Sequence, residues 1–220
     1  MENTIWVFGC SYSSGYLCIP QTCTYGNLLA KQLGYSIKNL AQAGSSNDII
    51  LYHLISNMHL IQPHDIILYQ FTSHFRIGIF DKHECYHSFN GIPQDDIHNP
   101  FNIYNKADLT LLMDYLTVWQ PRRIKFGFDN TINLLKYLNI TKQVKFVTLY
   151  MNNDFNADDN VLYLPLETDN KNICMMDYIE QNNATISDEN IDKYDYFDTH
   201  PGIKGNILIK DLIYDKLIHS

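Results

Sequence analysis

Two short segments near opposite ends of the chain carry side chains that can act together. The first reads Phe8-Gly9-Cys10-Ser11-Tyr12-Ser13 and closes a short apolar run over residues 4–9. An apolar run that ends at a glycine has the pattern of a buried strand. A serine one or two residues past such a strand, on a tight turn, presents its hydroxyl at the top of a sheet. There the next helix aims backbone N–H groups at developing negative charge. A serine in that place also serves as a helix cap, and this segment alone leaves both roles open. The second segment, Asp195-Tyr196-Phe197-Asp198-Thr199-His200-Pro201-Gly202, lies just before the last helical pattern. Histidine supplies a base near neutrality, and a carboxylate two residues away fixes its tautomer and stabilises the imidazolium. A nucleophile after the first strand and a base before the last helix are what a hydrolytic site on a sheet requires. Together they outweigh the capping role.

Other residue types of chemical interest fit less well. His83 and His87 stand four apart around Glu84 and Cys85, a zinc-compatible spacing on a helix. The neighbourhood does not read as helical and offers no third ligand, so no metal is expected. Arg76, a few residues past an apolar run, is either a surface or packing arginine or one placed to orient a carboxylate or a sugar hydroxyl. Tyr12, Tyr16, Trp119 and the aromatics Phe75, Phe80, Tyr86, Phe89, Phe101 and Tyr104 hint at a surface that stacks on sugar rings. Arg122 and Arg123 begin a solvated helix, and Cys10 reads as a buried structural thiol.

These side chains need elements to position them. Strands are expected over 4–9, 36–41, 65–71, 144–150 and 161–164, with 65–71 the central one because its apolar run shows no alternation. Helices are expected over 25–33, from a Ser46 or Asn47 cap to about Leu60, over 107–119, 123–138 and 172–181, and over 203–218. Residues 72–106 show no clear period and read as a long loop insertion in one domain spanning 1–220. Alternating strands and helices imply an α/β fold, a three-layer α/β/α sandwich on a mainly parallel five-stranded sheet of flavodoxin-like order. Ligands of such sheets bind beyond the carboxyl ends of the strands.

Composition bounds the partners. The 220 residues are 45% apolar and 18% charged, with a net charge of −8, enough apolar content to build a core. The acidic balance argues against a broad nucleic-acid or anionic-membrane surface. No run approaches the roughly 18–20 apolar residues of a membrane span, and residues 1–5 lack the pattern of a secretory signal. Five cysteines without paired spacing fit a reduced, cytoplasmic setting.

The ordered blocks resemble the SGNH (GDSL-type) hydrolases, in particular members whose first block reads Phe-Gly-Cys-Ser. Ser11 matches the nucleophile. Residues 39–47, Asn-Leu-Ala-Gln-Ala-Gly-Ser-Ser-Asn, resemble the second block, whose glycine, here Gly44, donates a backbone N–H to the oxyanion hole. Residues 66–73 resemble the third block, and Asp198-Thr199-His200-Pro201 matches the last. The resemblance implies a serine esterase with Ser11, His200 and Asp198 as triad and an oxyanion hole from the N–H groups of Ser11 and Gly44. It needs no cofactor, and its substrate is a small-molecule or glycan ester such as an O-acetylated carbohydrate. Acyl transfer to a sugar hydroxyl and a catalytically impaired binding module are the alternatives. The family's third-block asparagine is absent. Thr72 falls nearest its position, and Gln70 offers an amide for substrate or oxyanion. Loss of one oxyanion donor typically costs a factor of about 10²–10³ in turnover.

Overall fold

The computed structural model describes residues 2–15, 19–73, 76–80, 86–90, 125–151, 166–168, 171–189 and 198–219. The sheet begins with β1 (Thr4–Phe8) and takes in β2 (Ser36–Asn39) and β3 (Ile66–Phe71). After a helix over 125–142 (α4) comes β6 (Lys145–Tyr150). All pairings are parallel and the order is β2-β1-β3-β6. The first three strands and β6 therefore stand as second, first, third and fourth, the start of a flavodoxin-like order. The described sheet has four strands, not the expected five. The expected fifth, over 161–164, lies outside the described residues, as do the expected helix over 107–119 and the residues His83, Cys85, Trp119, Arg122 and Arg123.

Strand parity builds a layer on each side. Ile5, Val7, Leu68, Val147 and Leu149 point one way and pack with Leu29 and Ala30 of α2 (Tyr25–Leu33), Ile179 of α5 (Met175–Gln181) and Ile209 and Ile213 of α6 (Ile203–His219). Trp6, Phe8, Ile67, Tyr69, Phe71 and Phe146 point the other way, onto Ile50 and Leu54 of α3 (Asn47–Asn57) and Ile132, Leu135 and Leu138 of α4. A strand covered on both faces reads as an unbroken apolar run because each face takes every second residue.

Two expectations are corrected. The stretch read as an aperiodic loop contains an antiparallel hairpin, β4 (Arg76–Phe80) with β5 (Tyr86–Asn90). The helix expected from residue 172 starts at Met175, capped by the Cys174 sulfur. Before it runs β8 (Lys171–Ile173), paired antiparallel to β7 (Leu166–Thr168). Local pairing decided both segments. No helix among the described residues is long and apolar enough to cross a membrane.

At the end of the sheet opposite Ser11, Asp65 is buried and accepts three hydrogen bonds. The donors are the Thr4 N–H at 2.8 Å, Trp6 Nε1 at 2.8 Å and the Gln62 N–H at 2.9 Å. Removing this acceptor leaves buried donors unsatisfied. Asp65→Ala is expected to lower unfolding free energy by about 3 kcal/mol, measured by urea titration.

Candidate active site

β1 delivers Ser11 through a turn with little room. Cys10 stays extended, Ser11 opens the four-residue helix α1 (Ser11–Ser14), and Gly15 at φ +77° closes it. At the first helical position the Ser11 N–H has no intrahelical acceptor. Gln70 lies on the same sheet face as Ile66 and Leu68, so its fully buried amide reaches under this turn. Its Oε1 accepts the Cys10 N–H at 3.1 Å and the Ser13 hydroxyl at 2.5 Å, while Nε2 donates to Cys10 Sγ at 3.1 Å. A Cβ on Gly9 would meet Ser13 Oγ at 2.5 Å and Gln70 Oε1 at 2.7 Å. The strand-to-helix turn thus needs glycine there for closeness of approach.

The candidate base, His200, arrives on a clamped loop. The His200 carbonyl accepts the Ile186 N–H at 2.8 Å, and the Gly202 N–H donates to the Ala184 carbonyl at 2.9 Å. Ser187 Oγ accepts the Asp198 N–H at 2.6 Å. Asn206, buried in α6, donates to the carbonyls of Pro201 and Gly202 at 3.2 and 2.9 Å and accepts the Tyr25 N–H at 2.9 Å. Both Glu189 carboxylate oxygens cap the start of α6 at the N–H groups of Ile203 and Lys204. These bonds tie the loop to α2 and α6 without using the side chains of Asp198 or His200.

The three side chains of the two sequence segments meet. His200 Nε2 is 2.7 Å from Ser11 Oγ, and His200 Nδ1 is 2.6 Å from Asp198 Oδ1. The same Asp198 oxygen accepts the His200 N–H at 2.9 Å. A carboxylate accepts, so Nδ1 carries the hydrogen and the Nε2 lone pair faces the serine hydroxyl. Asp198 is 5% and Ser11 4% exposed. Burial pulls the His200 pKa below its ordinary value; the hydrogen bond and charge of Asp198 oppose this, and the positive charge of Arg76 adds to it.

Two site expectations change. Gln70 was expected at the substrate or the oxyanion; its amide is bonded to the Cys10–Ser13 turn, because strand parity points it under that turn. Thr72 was expected as an oxyanion donor. Its N–H donates instead to Asn47 Oδ1, and Asn47 Nδ2 donates to its carbonyl, both at 2.9 Å. Its buried hydroxyl meets Met151 Sδ at 3.7 Å. Gly44 sits at φ +80° in the turn after β2, where glycine is strongly preferred. The Gln42 N–H on the Gly9 carbonyl, 3.1 Å, holds that turn beside the end of β1. Gly44 N–H has no acceptor among the described residues. Arg76 opens β4, half-buried.

Residue typing reads Tyr12 only as a sugar-stacking ring and Asn47 only as a helix cap, and it misses Ser187. The Tyr12 ring lies 4.7 Å from the imidazole of His200, and its hydroxyl donates to the Thr199 carbonyl at 3.1 Å and meets Thr199 Oγ1 at 3.0 Å. A tyrosine directly after a candidate nucleophile is the available signal.

No family model matches this chain, and no curated protein does. Among solved structures, it is similar to a Bacillus subtilis protein at 16% identity and a TM-score of 0.44, over all of this chain and 57% of the other. A carbohydrate esterase aligns at 14% identity and a TM-score of 0.45, over 99% of this chain and 69% of that one. The psychrotrophic esterase EstA from Pseudoalteromonas aligns at 14% and 0.39, over 99% and 98%. The chain therefore spans little more than half the length of the first of these.

The Tyr12 hydroxyl holds the loop that carries His200. In Tyr12→Phe the Ile186 amide, bonded to the His200 carbonyl, is expected to exchange about tenfold faster, the equivalent of one lost hydrogen bond. Hydrogen-exchange NMR measures it.

Proposed function

We propose that this chain is a serine hydrolase acting on carboxylic esters, with residues 1–220 working as one unit. The observation that carries the reading is the continuous hydrogen-bonded line from Ser11 Oγ through His200 to Asp198, 2.7 and 2.6 Å long in its two steps. It lies at the carboxyl end of a parallel sheet, where α/β folds place ligands. In this reading His200 Nε2 takes the hydroxyl proton as Ser11 Oγ attacks the acyl carbonyl, and Asp198 stabilises the imidazolium. The N–H groups of Ser11 and Gly44 receive the oxyanion. His200 returns the proton to the departing alcohol, and water, deprotonated by the same nitrogen, releases the acid and regenerates Ser11. Within this class we propose O-acetyl groups on a carbohydrate as the substrate, with no nucleic-acid or membrane partner. The Gln70 and Asn47 bonds support two oxyanion donors and not three, which favours modest turnover.

Labelling with a fluorophosphonate probe, read by intact mass, tests the nucleophile. One adduct is expected on the wild type and none on Ser11→Ala, with the melting temperature nearly unchanged. A wild type that takes no adduct overturns the enzymatic reading in favour of a binding module on this fold. Activity on p-nitrophenyl acetate and then acetylated glycans follows.

The pH profile has a stated direction. Protonated His200 cannot accept the Ser11 proton, so activity falls as pH drops through its pKa. Because burial holds that pKa below the ordinary 6.5, kcat/KM is expected to reach half its plateau below pH 6.5. A midpoint above that value contradicts the buried environment described for the imidazole.

A further inference from the structure

One cation at this end of the sheet has no counter-charge among the described residues. Arg76 follows β3 by four residues, and its N–H donates to the Ser73 carbonyl at 3.1 Å, closing the turn that leaves Thr72. Thr72 is anchored by Asn47 and contacts Met151, whose sulfur lies 3.9 Å from Cys10 Sγ, next to Ser11. The turn that carries Arg76 therefore rises from the same buried floor as the nucleophile. Its guanidinium Nη1 is excluded from solvent and finds no hydrogen-bond acceptor among the described residues. No ion pair holds the guanidinium among the described residues, and the carboxylate of Asp198 is engaged by His200. A buried guanidinium nitrogen that lost its water without gaining an acceptor is costly, and such a group in a folded protein calls for a partner that the described residues do not supply. The charge of Arg76 also acts on His200, which places it within electrostatic reach of the reacting atoms.

We propose that Arg76 receives a carboxylate carried by the ester substrate, an inference that rests on Ser11 being the nucleophile. A guanidinium stays charged at every working pH and presents paired N–H groups that match a carboxylate. A sugar hydroxyl would satisfy the hydrogen bond and leave the charge uncompensated. The chain as a whole, at −8, repels anions at long range. Preference for an anionic ester must then come from a local cation, and Arg76 is the one the site offers among the described residues.

Matched esters test this. On the acyl side p-nitrophenyl acetate is compared with p-nitrophenyl hemisuccinate, and on the alcohol side phenyl acetate with 4-acetoxybenzoate. The wild type is expected to prefer one anionic member over its neutral match by about tenfold or more in kcat/KM, and the pair that shows it locates the carboxylate on the acyl or the alcohol side. In Arg76→Gln that ratio is expected to collapse towards one, and Arg76→Lys to restore part of it. The wild-type preference should also shrink with rising ionic strength, a readout that needs no variant to fold. No preference in the wild type, or one that survives Arg76→Gln, overturns the proposal. An equal loss on neutral and anionic esters overturns it too, and assigns Arg76 to the oxyanion. The underlying reading fails separately, by the absence of a fluorophosphonate adduct and of turnover on every ester. Arg76 is then judged by calorimetric binding of benzoate, where equal affinity in wild type and Arg76→Gln sinks the carboxylate assignment.

Discussion

Beneath Ser11 the chain must pass from a strand to a helix within two residues, and a buried amide makes that turn possible. Gln70 accepts from the Cys10 backbone and the Ser13 hydroxyl and donates to the Cys10 sulfur. A polar side chain at this depth is tolerable because its groups are paired. The arrangement in turn demands Gly9, since any side chain there would occupy the space of the Gln70 and Ser13 oxygens. Ser13 completes the set through Tyr25, 2.5 Å away at the start of α2. Ser11 is thus set by backbone geometry that its neighbours enforce, and its hydroxyl lies 2.7 Å from His200 Nε2, with the Cys10 sulfur 3.9 Å away.

His200 is held by a separate device. The segment 198–202 lies along 184–187 in a two-sided backbone clamp, and Asn206 connects that clamp to the first turn of α2. Tyr25 therefore belongs to both supports, through its hydroxyl to the nucleophile turn and through its N–H to the base loop. This shared residue gives a physical basis for the short Ser11–His200 contact between segments so distant in sequence. Rigid support of this kind holds reacting groups in their working geometry before a substrate arrives.

Much of this could be read from residue types, and the exceptions have a common cause. β1 and β3 were legible because they are buried on both faces, which leaves continuous apolar runs. The meeting of Ser11, Asp198 and His200 was legible because their residue types stand just past a strand and just before a helix. Gln70 and Thr72 were misjudged because both are polar residues at the end of a strand. Whether such a group faces a ligand or the protein depends on strand parity and on which neighbour competes for it. Asn47 takes the Thr72 N–H, and no local pattern announces a bond across 25 residues. The hairpin of β4 and β5 was hidden for a related reason. Its short strands carry glycine, serine and asparagine among the aromatics, so pairing and not composition makes them strands.

The contact between residues 11 and 200 spans 189 positions of the chain. Loops of that size close late, after local helices and neighbouring strands have formed. During synthesis Ser11 emerges early and its turn can form once β3 supplies Gln70, but His200 arrives with the last helix. Until then a serine hydroxyl without a proton acceptor is chemically idle. The order of residues along the chain therefore acts as a timer, and the Ser11–His200 pair reports that the whole domain has closed.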